Sequence, residues 1–201
     1  CEVGNFAGVT VERKRGVCTY NGTKFYITDL PGIYSLSPNS AEEIIARDFI
    51  VNEKPDIILN ITDATNLRRN LYLTTQLAQT GTPVLMALNM TDALEENGLS
   101  IDTKILEKKL GIRIVPISAN KETGINELLT AMNGKVYPCN KAFKSDDERY
   151  RFINSAVSSA VFTIGKNKQA ERTERIDSIV SHPIFALPLF LSVMLFVFWV
   201  T

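Results

Sequence analysis

Three short apolar segments, each followed by polar residues and then by a helix-like pattern, constrain the fold more than any other feature. The segments are Ile57–Ile61, Pro83–Leu88 and Ile112–Ile117. Their length and their β-branched residues favour buried strands. Strands that alternate with helices predict β-α units, in which helices cover both faces of a mostly parallel sheet. We therefore expect an α/β fold whose ligand-binding residues lie where the strands end.

The segments between these strands repeat apolar residues at helical spacing. Nearer the N-terminus, Val17–Tyr20 and Lys24–Thr28 flank Asn21-Gly22, a pair that suits the positive φ angles of a type I′ hairpin turn. Beyond a polar linker over 135–148, two further short helices are expected at 149–164 and 170–180. The three helices of the β-α units are predicted around Leu67–Ala78, Ile101–Leu110 and Ile125–Met132.

The polar segment Asn89-Met90-Thr91-Asp92 directly follows the apolar run that ends at Leu88. A carboxylate here can accept two hydrogen bonds from guanine, one from N1–H and one from the exocyclic amine. Adenine presents an unprotonated N1 at that edge, so the carboxylate would face a lone pair. Charge-assisted bonds of this kind contribute about 1.5–3 kcal/mol each. The N-x-x-D pattern is weak by itself, because a solvated loop would look the same.

A second polar segment, Ser118-Ala119-Asn120, follows the strand predicted at Ile112–Ile117. The small Ala119 would let a backbone N–H approach the guanine O6, and Ser118 could brace the loop. Because both polar segments follow consecutive strands, they are expected to hold one base between them.

Two more segments suit phosphate and magnesium chemistry. In Asp29-Leu30-Pro31-Gly32, the carboxylate could hold Mg²⁺ through water and the glycine N–H could bind a terminal phosphate. Its other interpretation is a simple Pro-Gly turn. In Gly8-Val9-Thr10-Val11-Glu12, the threonine could bind Mg²⁺ only while a γ-phosphate is present, as in a ligand-ordered switch segment. Thr10 and Asp29 are therefore the predicted Mg²⁺ residues, acting together with the nucleotide.

The order threonine, D-x-x-G, N-x-x-D and S-A-x is that of the GTPase signature motifs. The sequence also resembles the bacterial ferrous iron transport protein B family in specific stretches. These are VGNFAGVTVERKRG, DLPGIYSLSPNSAEEIIARDFI, DATNLRRNLYLTTQL, NMTD and the apolar IDSIVSHPIFALPLFLSVMLFVFW.

The resemblance implies a multi-pass inner-membrane protein that moves Fe²⁺ into the cytoplasm, with a cytoplasmic GTPase domain that drives or gates transport. It implies GTP or GDP as ligand, Mg²⁺ as cofactor and K⁺ as a further candidate. Fe²⁺ would pass through a membrane domain beyond Thr201, so no iron-binding residue is assigned. The implied partners are the lipid bilayer and small accessory iron-transport proteins.

The expected organisation has three parts: a GTP-binding domain over 1–134, a linker with short helices over 135–182, and the start of a membrane helix over 183–201. The last part contains no charged residue, and a bilayer crossing needs about 20 such residues. Basic residues precede it, which favours a cytoplasmic position for the preceding domain.

Two features depart from the family pattern, and a third departs from Ras-like enzymes but is shared by the family. A phosphate loop of the type G-x-x-x-x-G-K-[ST] does not occur in the sequence, and we expect it, with the first strand, before residue 1. Ile33 and Tyr34 follow Gly32 where Ras-like enzymes carry a water-orienting glutamine, so we expect slow hydrolysis. The spacer between Gly134 and Arg149 is short.

Two alternatives stay open. One is a soluble RNA- or ribosome-associated GTPase, although 22 basic and 22 acidic residues give no net charge to attract nucleic acid. The other is a nucleotide-insensitive anchoring module, because the phosphate loop is absent.

The sequence shows no zinc-site or disulfide pattern. Cys1, Cys18 and Cys139 form no C-x-x-C pair, and His182 has no ligand-type neighbour at metal spacing.

Overall fold

A parallel sheet built from the three predicted apolar segments carries, at its strand ends, the motifs that are predicted to read the base. The structure is a computed structural model that describes residues 2–5, 12–139, 141–164, 194–195 and 197–199. The strands are β1 (Glu2–Asn5), β2 (Glu12–Tyr20), β3 (Thr23–Asp29), β4 (Ile58–Asp63), β5 (Val84–Asn89), β6 (Leu99–Ile101), β7 (Arg113–Pro116) and β8 (Val161–Thr163). The helices are α1 (Ala41–Glu53), α2 (Leu67–Ala78), α3 (Thr91–Glu96), α4 (Thr103–Leu110), α5 (Ile125–Asn133) and α6 (Asp146–Ala160).

The parallel sheet has the strand order β4-β5-β7, with Leu59 opposite Leu85 and Ala87 opposite Val115. Its central strand β5 is buried on both faces, as a continuous apolar run predicts. Val84, Met86 and Leu88 pack towards α2, α4 and α6, whereas Leu85 and Ala87 pack towards α5. The predicted α/β fold with helices on both faces of a parallel sheet is confirmed.

The predicted hairpin is also confirmed. β2 and β3 pair antiparallel from Lys14 opposite Asp29 to Tyr20 opposite Thr23. Asn21 and Gly22 form the turn at φ 48° and φ 79°, which are the positive values that a type I′ turn requires. With β1 they form a separate antiparallel sheet.

Helix α1 was not among the predicted elements, although the sequence carries its start signal. The Ser40 side chain accepts a hydrogen bond from the Glu43 N–H at 3.2 Å, and the Glu43 carboxylate accepts one from the Asn39 N–H at 3.3 Å. This exchange resembles a capping box, which an S-x-x-E spacing announces.

The C-terminal prediction needs a correction, because the helix expected over 149–164 is shorter and begins earlier. It starts at Asp146, where Ser145 accepts from the Glu148 N–H at 3.2 Å, and it ends at Ala160. The next three residues form β8, which pairs antiparallel with β6. Consequently Ile101, expected in a helix, lies in β6, and α4 begins only after Asp102.

The predicted membrane segment, 183–201, lies outside the described residues except at 194–195 and 197–199, and so does the helix expected over 170–180. In the part of the chain that the structure describes, no helix combines the length and the apolar character that a membrane crossing requires.

Arg149 fastens α6 to α2 and is 8% exposed. Its guanidinium donates hydrogen bonds to Thr75 Oγ1 at 3.1 Å and to Gln79 Oε1 at 2.8 Å. The same group lies 3.6 Å from the Asp146 carboxylate. Truncating this buried side chain should lower stability, because Thr75 and Gln79 would lose hydrogen bonds and Asp146 would lose its charged partner.

We therefore expect Arg149→Ala to lower the free energy of unfolding by about 1.5–3 kcal/mol. Arg151→Ala, at an exposed position of the same helix, is the matched control and should change it little. Urea unfolding followed by circular dichroism measures both. Equal losses for the two variants would show that Arg149 does not fasten α6.

Candidate functional site

The ends of β5 and β7 bring the two predicted base-reading segments together. Leu88 lies opposite Pro116 in the parallel register, and the Ile117 N–H donates to the Leu88 carbonyl at 2.8 Å. Asn89 and Ser118 therefore leave adjacent strands at the same edge of the sheet. This is the position where parallel α/β sheets bind ligands.

The first segment turns sharply from strand to helix. Met90 has φ 62°, in the left-handed region, and Thr91 begins α3. The Thr91 hydroxyl donates to the Ile117 carbonyl at 3.1 Å, which ties the start of α3 to the end of β7. The turn places Asp92 in the first turn of α3, with its side chain 19% exposed.

A direct hydrogen bond joins the two segments. The Asn89 Oδ1 accepts from the Ala119 backbone N–H at 3.0 Å. Within the second loop, Ser118 and Thr123 exchange backbone hydrogen bonds, each at 3.1 Å. Asn120 is exposed in this loop. The two segments thus lie side by side, as expected from their positions after neighbouring strands, and their role towards a base stays a prediction.

Asp92 is held as a carboxylate. A hydrogen bond from the Ser118 hydroxyl, supported by the Lys121 ammonium, holds the pKa of the Asp92 carboxyl below its ordinary value of 3.8, although partial burial acts in the opposite direction. An ionised carboxyl accepts hydrogen bonds through both oxygens and donates none. The group therefore has the chemistry needed to accept from two N–H donors of a planar base.

Lys121 was not among the predicted site residues. Its ammonium lies 3.2 Å from Asp92 Oδ2 and 3.8 Å from Glu96 Oε1. The signal available in the sequence was a lysine directly after Ser118-Ala119-Asn120. A single exposed lysine in a loop is too common to be assigned without the geometry.

Asp63, at the end of β4, lies opposite Asn89 in the register and was also not predicted. Its Oδ1 accepts from the Thr65 N–H at 2.8 Å and from Thr65 Oγ1 at 2.7 Å. Its Oδ2 accepts from Asn66 Nδ2 at 2.8 Å. Burial raises the pKa of this carboxyl, but the bonds from Asn66 and Thr65 outweigh it and leave the pKa lowered. Asp63 thus caps the short 3-10 helix Ala64–Asn66 through Oδ1, and its Oδ2 holds the Asn66 side chain.

The segment from Asp29 to Gly32 begins at the last residue of β3, in the antiparallel sheet, where Asp29 is exposed. Among the described residues, no hydrogen bond or ion pair joins this segment to the base-reading loops. The residues after it dock on α2 instead. Arg69 lies 3.8 Å above the centre of the Tyr34 ring, and the Leu36 N–H donates to Gln76 Oε1 at 2.8 Å.

The predicted switch residues Gly8, Val9, Thr10 and Val11 lie outside the described residues, and of Glu12 only the backbone position in β2 is described. His182 and Cys1 lie outside them too. Across the described ranges, no group of three or more histidine, cysteine or acidic side chains is arranged to hold a metal ion. Asp29 is an exposed carboxylate, the type of group that holds Mg²⁺ together with substrate phosphates and water, and its role towards that ion stays a prediction.

Comparisons with known proteins agree on one family. A family model described as ferrous iron transport protein B matches residues 1–132. The Fe(2+) transporter FeoB of Campylobacter jejuni is 36% identical over 212 residues, which cover 100% of this chain and 34% of that protein. The chain thus spans about a third of the length of the curated relatives it matches.

Solved structures give the same result. The cytosolic domain of FeoB from L. pneumophila aligns with a TM-score of 0.72 and 31% identity, over 81% of this chain and 90% of that one. A mutant of S. thermophilus NFeoB bound to GDP aligns with a TM-score of 0.63 and 45% identity, over 71% of this chain and 54% of that one.

Proposed function

Because the chain belongs to the ferrous iron transport protein B family, we propose that it is the GTP-binding part of a transporter that carries Fe²⁺ across the bacterial cell membrane. Binding and hydrolysis of GTP on the cytoplasmic side would drive or gate the transport. The GTP-binding domain would cover 1–134, a linker with short helices 135–182, and the start of a membrane helix 183–201.

One observation carries the proposal: an ionised carboxylate lies beside a backbone loop that is tied to the same strand ends. Asp92 would accept from guanine N1–H and from the exocyclic amine. The Ala119 N–H, which donates to Asn89 Oδ1 at 3.0 Å, would exchange that acceptor for guanine O6 when the base binds. A site built on these groups rejects a base that leaves them unpaired.

Phosphate and metal would be bound at the other motifs. Asp29 and Thr10 would hold Mg²⁺ with the nucleotide, and Gly32 would offer its N–H to the terminal phosphate. Mg²⁺ would neutralise charge on the transferred phosphate oxygens. K⁺ is a further candidate cofactor. The relatives' names offer no support for an RNA-associated GTPase.

Competition between nucleotides tests the proposal in the full-length protein that contains this chain. A fluorescent GDP analogue should be displaced by GTP and GDP but not by ATP or ADP. Release of phosphate from GTP should stop when EDTA removes Mg²⁺. Equal displacement by adenine nucleotides would contradict guanine recognition, and failure of every nucleotide to bind would favour the anchoring alternative.

Transport is tested separately. Vesicles that carry the full-length protein should take up Fe²⁺ faster with GTP at the cytoplasmic face than with GDP or with no nucleotide. Nucleotide-independent uptake would limit the proposal to guanine binding.

A further inference from the structure

Lys121 links the two halves of the proposed base site through its side chain. The residue belongs to the loop after β7, where its backbone N–H donates to Ser118 Oγ at 3.4 Å. Its ammonium crosses to α3 and lies 3.2 Å from Asp92 Oδ2. The bond from the Ala119 N–H to Asn89 Oδ1 joins the same two segments at 3.0 Å. The loop is therefore tied to the N-x-x-D segment at two points.

The ammonium lies between two carboxylates of α3. Glu96 Oε1 is 3.8 Å from it, one helical turn after Asp92. The lysine side chain is 53% exposed and that of Asp92 is 19% exposed. At this exposure an ion pair adds little to folding stability. The ion pair instead affects the orientation of the Asp92 carboxylate.

Guanine makes a geometric demand on that carboxylate. N1–H and the exocyclic amine are two parallel donors, so both carboxylate oxygens must lie in the plane of the base. A carboxylate has about four lone-pair directions, so Oδ2 can accept from Lys121 and from the base together. The Lys121 ammonium, 3.2 Å from Oδ2, therefore restricts rotation of the Asp92 side chain.

We propose that Lys121 is a positioning residue for guanine recognition, holding the Asp92 carboxylate in the orientation that accepts both donors of the base. The inference rests on the proposed function, since it concerns how the same site selects guanine. Lys121 would thus contribute to selectivity for guanine without contacting the phosphates.

Inosine diphosphate supplies the readout, because its base lacks the exocyclic amine but keeps N1–H and O6. The ratio of GDP affinity to IDP affinity reports the second hydrogen bond to Asp92. Lys121→Met removes the ammonium and keeps the apolar side chain. In the full-length protein it is expected to lower GDP affinity about two- to fivefold, the effect of losing one exposed ion pair. The ratio of GDP to IDP affinity should fall with it.

Two variants complete the test. Lys121→Arg keeps the charge and should restore the ratio. Lys104→Met, at an exposed position of α4, should leave both affinities unchanged. If Lys121→Met lowers GDP and IDP affinity equally, or changes neither, the positioning role is wrong even though guanine is selected. If the wild-type protein does not prefer guanine to adenine nucleotides, the proposed function fails and this inference fails with it.

Discussion

Replacing Asp92 by asparagine is expected to convert a guanine-selective protein into one that prefers xanthine nucleotides. The asparagine amide would place an N–H₂ donor opposite the exocyclic amine of guanine, which is itself a donor. Xanthine carries a carbonyl oxygen at that position and accepts the bond. The variant would exchange two charge-assisted hydrogen bonds for one neutral bond to N1–H and one donor–donor contact. This should cost about 3 kcal/mol, which corresponds to about a hundredfold loss of GDP affinity.

Competition titrations with GDP, XDP and ADP against a fluorescent guanine nucleotide measure this change. Glu95→Gln is the matched control, since it removes one carboxylate from an exposed position of the same helix. Circular dichroism should show that Asp92→Asn remains folded, because the Lys121 partner of the lost ion pair is 53% exposed and such a pair adds little to folding stability. Unchanged preference for guanine in the folded variant would remove Asp92 from the base site.

The parallel sheet was predictable because each strand is marked twice, by its apolar residues and by the polar residues that follow it. Leu85, Met86 and Leu88 have no exposed surface at all, and a strand buried on both faces leaves a continuous apolar run in the sequence. Asn89 and Ser118 were expected at one edge of the sheet, because neighbouring parallel strands end on the same side. The adjacent, parallel arrangement of β5 and β7 therefore determines that these two segments lie side by side.

The strands that local sequence did not predict are those that pair with each other from distant positions in the chain. Val161–Thr163 continues the helical pattern of α6 by composition, yet it pairs with Leu99–Ile101. Two three-residue strands carry too few residues to show an alternation, so no local pattern identifies them. Helix α1 is a different case, because its start signal, Ser40 followed by Glu43, is present in the sequence.

The charged partners at the site were the least predictable. Lys121 can be recognised as a site residue only from the short distance between its ammonium and the Asp92 carboxylate. That distance depends on the fold of the loop between Ser118 and Gly124. The loop closes because Ser118 and Thr123 form an isolated antiparallel bridge and because Gly124 follows in a left-handed conformation. A glycine in a polar loop is ordinary in sequence, so its particular role appears only when the neighbouring atoms are known.

That role leads to the second large effect, which is expected for Gly124→Ala. Gly124 has φ 77°, and a Cβ atom there would lie 2.3 Å from the Pro116 carbonyl oxygen and 3.1 Å from Ile117 Cα. Both neighbours are backbone atoms of the β7 end, so they cannot move aside as a side chain would. The left-handed conformation costs an alanine about 1–2 kcal/mol, and the overlap adds about 1–3 kcal/mol. The free energy of unfolding should therefore fall by about 2–5 kcal/mol, and guanine binding should weaken because the loop that carries Ser118 and Ala119 is displaced.

Gly81→Ala separates the two causes. Gly81 has nearly the same conformation, φ 80°, but a Cβ atom there would meet nothing within 4 Å. Its substitution therefore carries the conformational cost without the overlap, and it lies in the turn before β5, away from the base-reading loop. Urea unfolding of both variants should give the larger loss for Gly124→Ala, and only this variant should lose affinity for guanine nucleotides. Equal losses of stability would mean that the Pro116 carbonyl moves away at little cost, in which case the close contact at Gly124 does not hold the loop against the end of β7.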